Sequence, residues 1–245
     1  MLKKVVVFDN QSSGVGDMIE DELPVEVVRI TDAKNTSYAE KNESEIRELT
    51  LNALEPYLDK ADLIVLAEPE VALAAEEFLR RKFPRQQFVG YGWELPKLLK
   101  RAKNVRVLTT PAVRRMARYQ AMKAECPGVR FSERECLGWE TSLSSPGALD
   151  RAVEDELIEH AKEGFSGGIV VIYTTSMIHL ENRLRQAFRW RATVVDMRAI
   201  LLRAACAALG FRGMDGHRSR ELWNLLISPN SSKIGVLDEN LRKNC

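Results

Sequence analysis

Cysteine is scarce in this chain and scattered. Cys126, Cys136, Cys206 and Cys245 show no short paired spacing, so neither a zinc knuckle nor a disulfide framework is supported. Charge of one sign is missing too. The sequence sets 36 Lys and Arg against 35 Asp and Glu, a formal net charge of +1. A one-sided field of the kind that draws a protein to nucleic acid or an anionic membrane is not expected, and neither partner is expected. Long hydrophobic runs are also absent. The longest, at 63–67 and 169–173, fall far short of the ~18 residues of a membrane span. At the N-terminus, Val5-Val6-Val7-Phe8 meets Asp9, whereas a secretory segment needs about 7–15 apolar residues in a row. These absences lead to the expectation of a soluble, cytoplasmic protein. With 245 residues, 45% of them apolar, the chain can bury about 70–75% of its unfolded surface without covalent staples.

What is present is alternation. Short apolar runs at 5–8, 25–29, 62–66, 88–90, 105–108, 129–131, 168–172 and 193–195 read as strands. Several are unbroken Val/Ile/Leu runs, as suits strands of a parallel sheet covered on both faces. Between them lie helical stretches. Asn42-Glu43-Ser44-Glu45 resembles a capping box and opens a helix to about residue 59. Pro69 and Pro111 suit first helical positions, with helices running to 82 and about 124. Stretches 150–163 and 197–209 complete the set. Strand and helix in strict turn predict an α/β doubly wound architecture. The pattern repeats after Phe8 and Leu66 and again after Leu108 and Ile172, so two α/β lobes are expected. The first lobe takes in 1–97 and 196–211, and the second 98–195. Residues 212–245, carrying Gly213, Gly216, Pro229 and Asn230, read as a C-terminal extension with a short helix.

In such sheets ligands bind beyond the carboxyl ends of the strands. Four turns there hold short polar residues: Asp9, Ser13 and Gly14; Glu68 and Glu70; Thr109 and Thr110; Tyr173, Thr174, Thr175 and Ser176. Hydroxyl and glycine residues in such turns leave backbone N–H groups to hold a small carboxylate or phosphate. The structural alternative is that each is simply a helix N-cap.

These residues carry a family resemblance. Val7-Phe8-Asp9 with Ser13-Gly14-Val15-Gly16 resembles the Phe-Asp-Ser-Gly-Val-Gly-Gly opening of glutamate racemase. Ser37-Tyr38-Ala39-Glu40-Lys41, followed by Glu45-Ile46-Arg47, is similar to that family's Pro-Tyr-Gly-x-Lys and Glu-Ile-Arg. Leu108-Thr109-Thr110-Pro111-Ala112, with Arg115, Tyr119 and Gln120 in register, resembles its Leu-Ala-Thr-Pro-Ala stretch, and Val194-Val195-Asp196 its closing Val-Asp. The likeness runs over about residues 4–209 and points to the Asp/Glu racemase superfamily. It implies two pseudo-symmetric α/β lobes with the ligand site between them, no cofactor, a small polar molecule in the inter-lobe cleft, and pairing into homodimers.

The departures bear on the chemistry. The resemblance implies one catalytic cysteine per lobe, one thiolate taking the α-proton while the other thiol returns one from the opposite face. Here the first cysteine motif falls on Glu68-Pro69-Glu70 and the second on Tyr173-Thr174-Thr175. Asn10, Gln11 and Ser12 are inserted after Asp9, and Asp17 stands where the family has glycine. Glu68, with an ordinary pKa of about 4.3, is a base candidate if buried. Tyr173, ordinarily about 10, is a proton donor rather than a base. Such an unequal couple suits a one-way isomerisation, elimination or decarboxylation better than racemisation. Asp9, Ser13, Gly14, Tyr38, Glu70, Thr110, Thr174 and Thr175 are the ligand-binding candidates. Two carboxylates facing an anion at ~4 Å cost on the order of several kcal/mol in a partly buried site, so glutamate itself is a poor ligand. Structurally, Glu68 can instead be the N-cap before Pro69, with Glu70 favourable beside the helix dipole. Two functions stand side by side: a divergent cofactor-independent isomerase or lyase, and an inactive homologue that binds a metabolite or a protein.

Other residues weigh less. His160, His179 and His217 have no Cys or carboxylate at ligand spacing, so no metal site is expected. Trp93 and Trp139 read as packing or cleft-border residues. Arg183, Arg185, Arg189 and Arg191 around Phe188 and Trp190 read as a solvated helix end.

Overall fold

The structure is a computed structural model describing residues 2–10, 13–32, 34–35, 38, 40–100, 102–135, 151–174, 180–189 and 191–211. The readings on Thr175, Ser176, Trp139, Trp190, His179, His217 and the 212–245 extension lie outside these residues. The first half runs β1 (Lys3–Phe8), α1 (Val15–Glu22), β2 (Val25–Ile30), α2 (Glu43–Leu54), β3 (Leu63–Leu66), α3 (Pro69–Lys82), β4 (Phe88–Gly90) and α4 (Tyr91–Leu99). The second runs β5 (Asn104–Thr109), α5 (Pro111–Arg115), α6 (Ala117–Ala124), β6 (Arg130–Glu135), α7 (Arg151–Lys162), β7 (Gly168–Tyr173), α8 (Glu181–Phe188), β8 (Ala192–Val195) and α9 (Met197–Leu209).

Two four-stranded sheets result, ordered β2-β1-β3-β4 and β6-β5-β7-β8. Every pairing is parallel. The second sheet thus repeats the order of the first, and the chain is built of two α/β lobes. The apolar runs cause this directly. Val5 to Phe8 and Leu63 to Leu66 are buried along their whole length, which requires cover on both faces and so a helix on each side. Strand β6 is different. Its charged side chains at Arg130, Glu133, Arg134 and Glu135 mark an edge strand, which charges protect from further pairing. It extends beyond the apolar residues 129–131 because its pairing with β5 continues to Thr109↔Glu135.

Local cap and proline signals start the helices where expected, although α2 ends at Leu54, short of the expected residue 59. The Asn42 side chain accepts hydrogen bonds from the Ser44 and Glu45 N–H groups (2.9 and 3.1 Å), and Glu45 accepts from the Asn42 N–H (2.9 Å). Pro69 occupies the first helical position of α3. The helix expected over 111–124 is instead two, broken where Met116 takes extended backbone angles (φ −69°, ψ 135°). The cause is tertiary: the Ala117 N–H, first of α6, donates to Glu43 of α2 at 2.8 Å. The boundary expected between residues 97 and 98 falls inside α4, and the second sheet starts at Asn104.

The lobes are packed together. Helices α3 and α4 contact α6, α3 contacts α5, and α9 returns to lie on α1, α4, β3 and β4 while touching β7. One apolar core runs continuously from the first sheet through Val105, Val107, Ile169, Val171 and Tyr173 of the second and Tyr119 of α6. A smaller cluster, including Leu157, Leu184 and Phe188, covers the far face of the second sheet. Among the described residues no helix is long and apolar enough to cross a membrane.

Candidate functional site

Registers across the sheets fix which turns are neighbours. Phe8 pairs with Leu66 and Leu66 with Gly90, so Asp9, Ala67 and Tyr91 leave three adjacent strands side by side. In the second lobe Thr109 pairs with Tyr173. The two carboxyl edges meet where the lobes pack.

After β1, Asp9 organises its own loop. The Ser13 N–H and hydroxyl donate to its two oxygens at 2.9 and 2.8 Å. Gly14 then turns left-handed (φ 78°), a conformation that favours glycine, and starts α1. A Cβ on Gly14 would lie 3.8 Å from a guanidinium nitrogen of Arg198. Arg198 ion-pairs with Asp196 (2.9 Å) and Glu181 (3.2 Å), and Asp196 caps α9 by accepting from the Arg198 N–H at 2.8 Å.

After β3, Glu68 stands at the N-cap position of α3, 2% exposed, and its side chain makes no cap hydrogen bond. Glu70 reaches the other lobe, accepting a hydrogen bond from the Thr110 hydroxyl at 3.3 Å, while Thr110 also caps α5 by accepting from the Val113 N–H at 3.2 Å. Tyr38 lies against Phe8 with ring centroids 6.2 Å apart and donates to Asp32 at 3.0 Å. Burial and Asp32, with a lesser push from Glu68, raise its phenol above the ordinary range.

Tyr173 ends β7 with 0% exposure, its ring 6.1 Å from Tyr91 and 5.9 Å from Tyr119. Its hydroxyl has no partner among the described residues. Burial, then Glu76 and Glu70, push the phenol far above its usual pKa, so it stays protonated. The carboxylates that act on it are therefore Glu76 and Glu70. Glu68 acts on Tyr38 and Tyr91. Thr174 is buried next to Tyr173, and Thr175 lies outside the described residues.

Two groups that matter here were not singled out from the sequence. Tyr91, directly after β4, is 1% exposed and its hydroxyl has no described partner. Burial first, then Asp9, Asp196 and Glu68, raise its phenol well above the ordinary value. The signal was available: the rule that selects the turns after β1, β3, β5 and β7 applies equally after 88–90. Glu76, 1% exposed on α3, gives one oxygen to Arg80 at 2.9 Å and leaves the other without a described partner. That oxygen would be 2.5 Å from a Cβ on Gly90, so any larger residue there must displace the Glu76 carboxyl. Burial, partly offset by Arg80, pushes the Glu76 carboxyl up to about 7. No local pattern marks Glu76, because the groups it lies against, Gly90 and Gly92, come from elements later in the chain.

Among the described residues no three His, Cys, Asp or Glu side chains converge as a metal site. In the basic stretch Arg183 pairs with Glu154 and Asp155, and Arg185 with Glu181.

No family model matches the chain. It is 29% identical over 169 residues to the glutamate racemase of Sulfurovum sp. (strain NBC37-1), a match covering 65% of this chain and 60% of the relative. The chain thus aligns with about three fifths of that protein's length. A crystal structure of glutamate racemase from Francisella tularensis in complex with D-glutamate superposes with a TM-score of 0.72 at 13% identity, covering 86% of this chain and 82% of the other. Glutamate racemase from Aquifex pyrophilus gives 0.68 at 22%, covering 83% of each. Aspartate racemase from Picrophilus torridus gives 0.61 at 14%, covering 85% and 94%. At such identities these structures establish the fold.

Proposed function

We propose that this chain, a member of the Asp/Glu racemase superfamily by its two-lobed fold and its sequence relative, is a divergent one that moves a proton on a small carboxylate or amino-acid-like molecule in the inter-lobe cleft, without a cofactor. The reaction is an isomerisation or elimination, with Glu68 as the base. One observation carries the reading: the two strand-end residues that the family resemblance pairs are chemically unequal. The first lobe presents a buried carboxylate whose side chain is not used to cap its helix. The second presents a phenol sealed in its protonated form. A matched pair of bases is needed for racemisation in both directions; an acid and a carboxylate are not a matched pair. The described cysteines do not substitute, since Cys126 follows α6 with its thiol on the Pro96 carbonyl and Cys206 lies within α9. Asp9, Ser13, Gly14, Tyr38, Thr110 and Thr174 supply the hydroxyls, carboxylate and backbone groups for a small polar ligand, with Thr175 next in sequence. The buried carboxylates of Glu68 and Glu70 disfavour a dicarboxylate such as glutamate.

The test is a proton NMR screen in D2O over D- and L-amino acids and small hydroxy and dicarboxylic acids. Exchange at the carbon next to the carboxylate is expected, and Glu68→Gln should abolish it while ligand-induced thermal shifts persist. Full activity in that variant removes Glu68 from the mechanism. A second reading, a racemase-like binding protein without chemistry, is favoured by the way Tyr173, Tyr91 and Tyr119 fill the space between the lobes. Thermal shifts with no exchange at any carbon would select it.

A further inference from the structure

Gly92 leaves a gap between two charges that come from different lobes. A Cβ built on it would lie 3.7 Å from Oε2 of Glu76 and 3.6 Å from Nε of Arg118. Glu76 belongs to α3 in the first lobe and Arg118 to α6 in the second. Of the two Glu76 oxygens, Oε1 accepts from Arg80, while Oε2 is buried with no described partner. Arg118 donates from Nε and a terminal nitrogen to the Gly92 carbonyl, pairs with Glu125, and lies 4.3 Å above the Trp93 ring. A carboxylate competes better than a neutral carbonyl for a guanidinium, most of all where water is excluded. A protonated carboxyl does not.

We infer that Glu76 and Arg118 form a proton-gated latch between the lobes. With Glu76 protonated, Arg118 stays on the Gly92 carbonyl. When the carboxyl O–H gives its proton to water, Nε of Arg118 turns through the gap at Gly92 onto Oε2. A buried ion pair then ties α3 to α6, one residue beyond Tyr91 at the start of α4. Burial holds the Glu76 carboxyl up to about 7, with Arg80 and Arg118 acting against it and Glu94 of α4 acting with it. Tyr173 of β7 also acts on Glu76's surroundings, through a phenol that stays protonated. Arg47 of α2 is paired with Glu43 and meets α3 at the Ala74 carbonyl. On α5, Arg114 is paired with Glu133 and Arg115 is exposed. Strands β3 and β4 carry no titratable side chain.

Trp93 emission reads the latch, because the guanidinium shifts off its ring when it turns. The full chain is titrated from about pH 5.5 to 8.5, and the emission of Trp93→Phe is subtracted to remove Trp139, Trp190 and Trp223. One transition centred near pH 7 is expected, and Glu76→Gln should abolish it. Gly92→Ala keeps both charges and suits a helix, but its methyl fills the gap, so it should abolish the transition as well. No transition in the parent, or one that survives either substitution, overturns the inference. A double-substitution cycle decides the matter if Gly92→Ala does not fold. At about pH 5.5 the melting-temperature losses of Glu76→Gln and Arg118→Gln should add in the doubly substituted chain. At about pH 8.5 the double loss should fall short of the sum by about 2–4 °C. Additivity at both pH values, or equal coupling at both, overturns the latch.

Discussion

Glu76 shows how one side chain can link stability to pH. Its carboxyl is buried, with one oxygen against Gly90 and Gly92, and is raised to about 7, against an ordinary value of about 4.5. Below pH 4.5 the folded and unfolded chains are both neutral at this group, and its full contribution is present. As pH rises the unfolded chain ionises first while the folded chain holds its proton, so stability is lost between about 4.5 and 7 and then levels off. Two and a half units correspond to about 3 kcal/mol. Urea unfolding at pH 5 and pH 7.5 should show most of that difference in the parent and little of it in Glu76→Gln; an unchanged slope in the variant would place the effect elsewhere. The same scale explains why Glu68 and Tyr173 were legible as candidates and Tyr91 was not. The first two stand where a family motif can be overlaid, whereas Tyr91 becomes conspicuous only when Asp9, Glu68 and Asp196 are gathered around it.

At the scale of elements, α4 illustrates a helix completed from outside. Pro96 has no N–H to offer the Gly92 carbonyl one turn earlier. Arg118 of α6 donates to it instead, at 3.1 Å from Nε and 2.7 Å from a terminal nitrogen, with its guanidinium 4.3 Å above the Trp93 ring. Arg118→Met preserves bulk but orphans that carbonyl, so a loss of about 1–3 kcal/mol is expected, together with a change in Trp93 fluorescence. A melting temperature equal to the parent's would show that water replaces the guanidinium without penalty. The strands, the capping box and the bounds of α3 were readable from local patterns. The break at Met116 was not, because the carboxylate that holds the start of α6 comes from Glu43, far earlier in the chain.

For the whole molecule, the repeated sheet order suggests two units, but the packing couples them. Helix α9 closes onto the first lobe after the second is complete, and the larger core continues through both sheets. The Glu70–Thr110 hydrogen bond and the Arg118 contact cross the same boundary. Calorimetry should therefore show one cooperative unfolding transition, with calorimetric and van't Hoff enthalpies equal. Two resolved transitions would show that the lobes fold independently. The sequence by itself determined the α/β class, eight strands, most helix starts and the candidate turns, because burial patterns, caps and prolines act within a few residues. Only the tertiary structure decided which strand-end groups meet, setting Tyr91 beside Asp9, Glu68 and Asp196 and Tyr173 beside Glu70 and Glu76. Electrostatic and hydrogen-bonding partners must lie within a few ångströms, and for groups so far apart along the chain that distance is set by strand register and lobe packing.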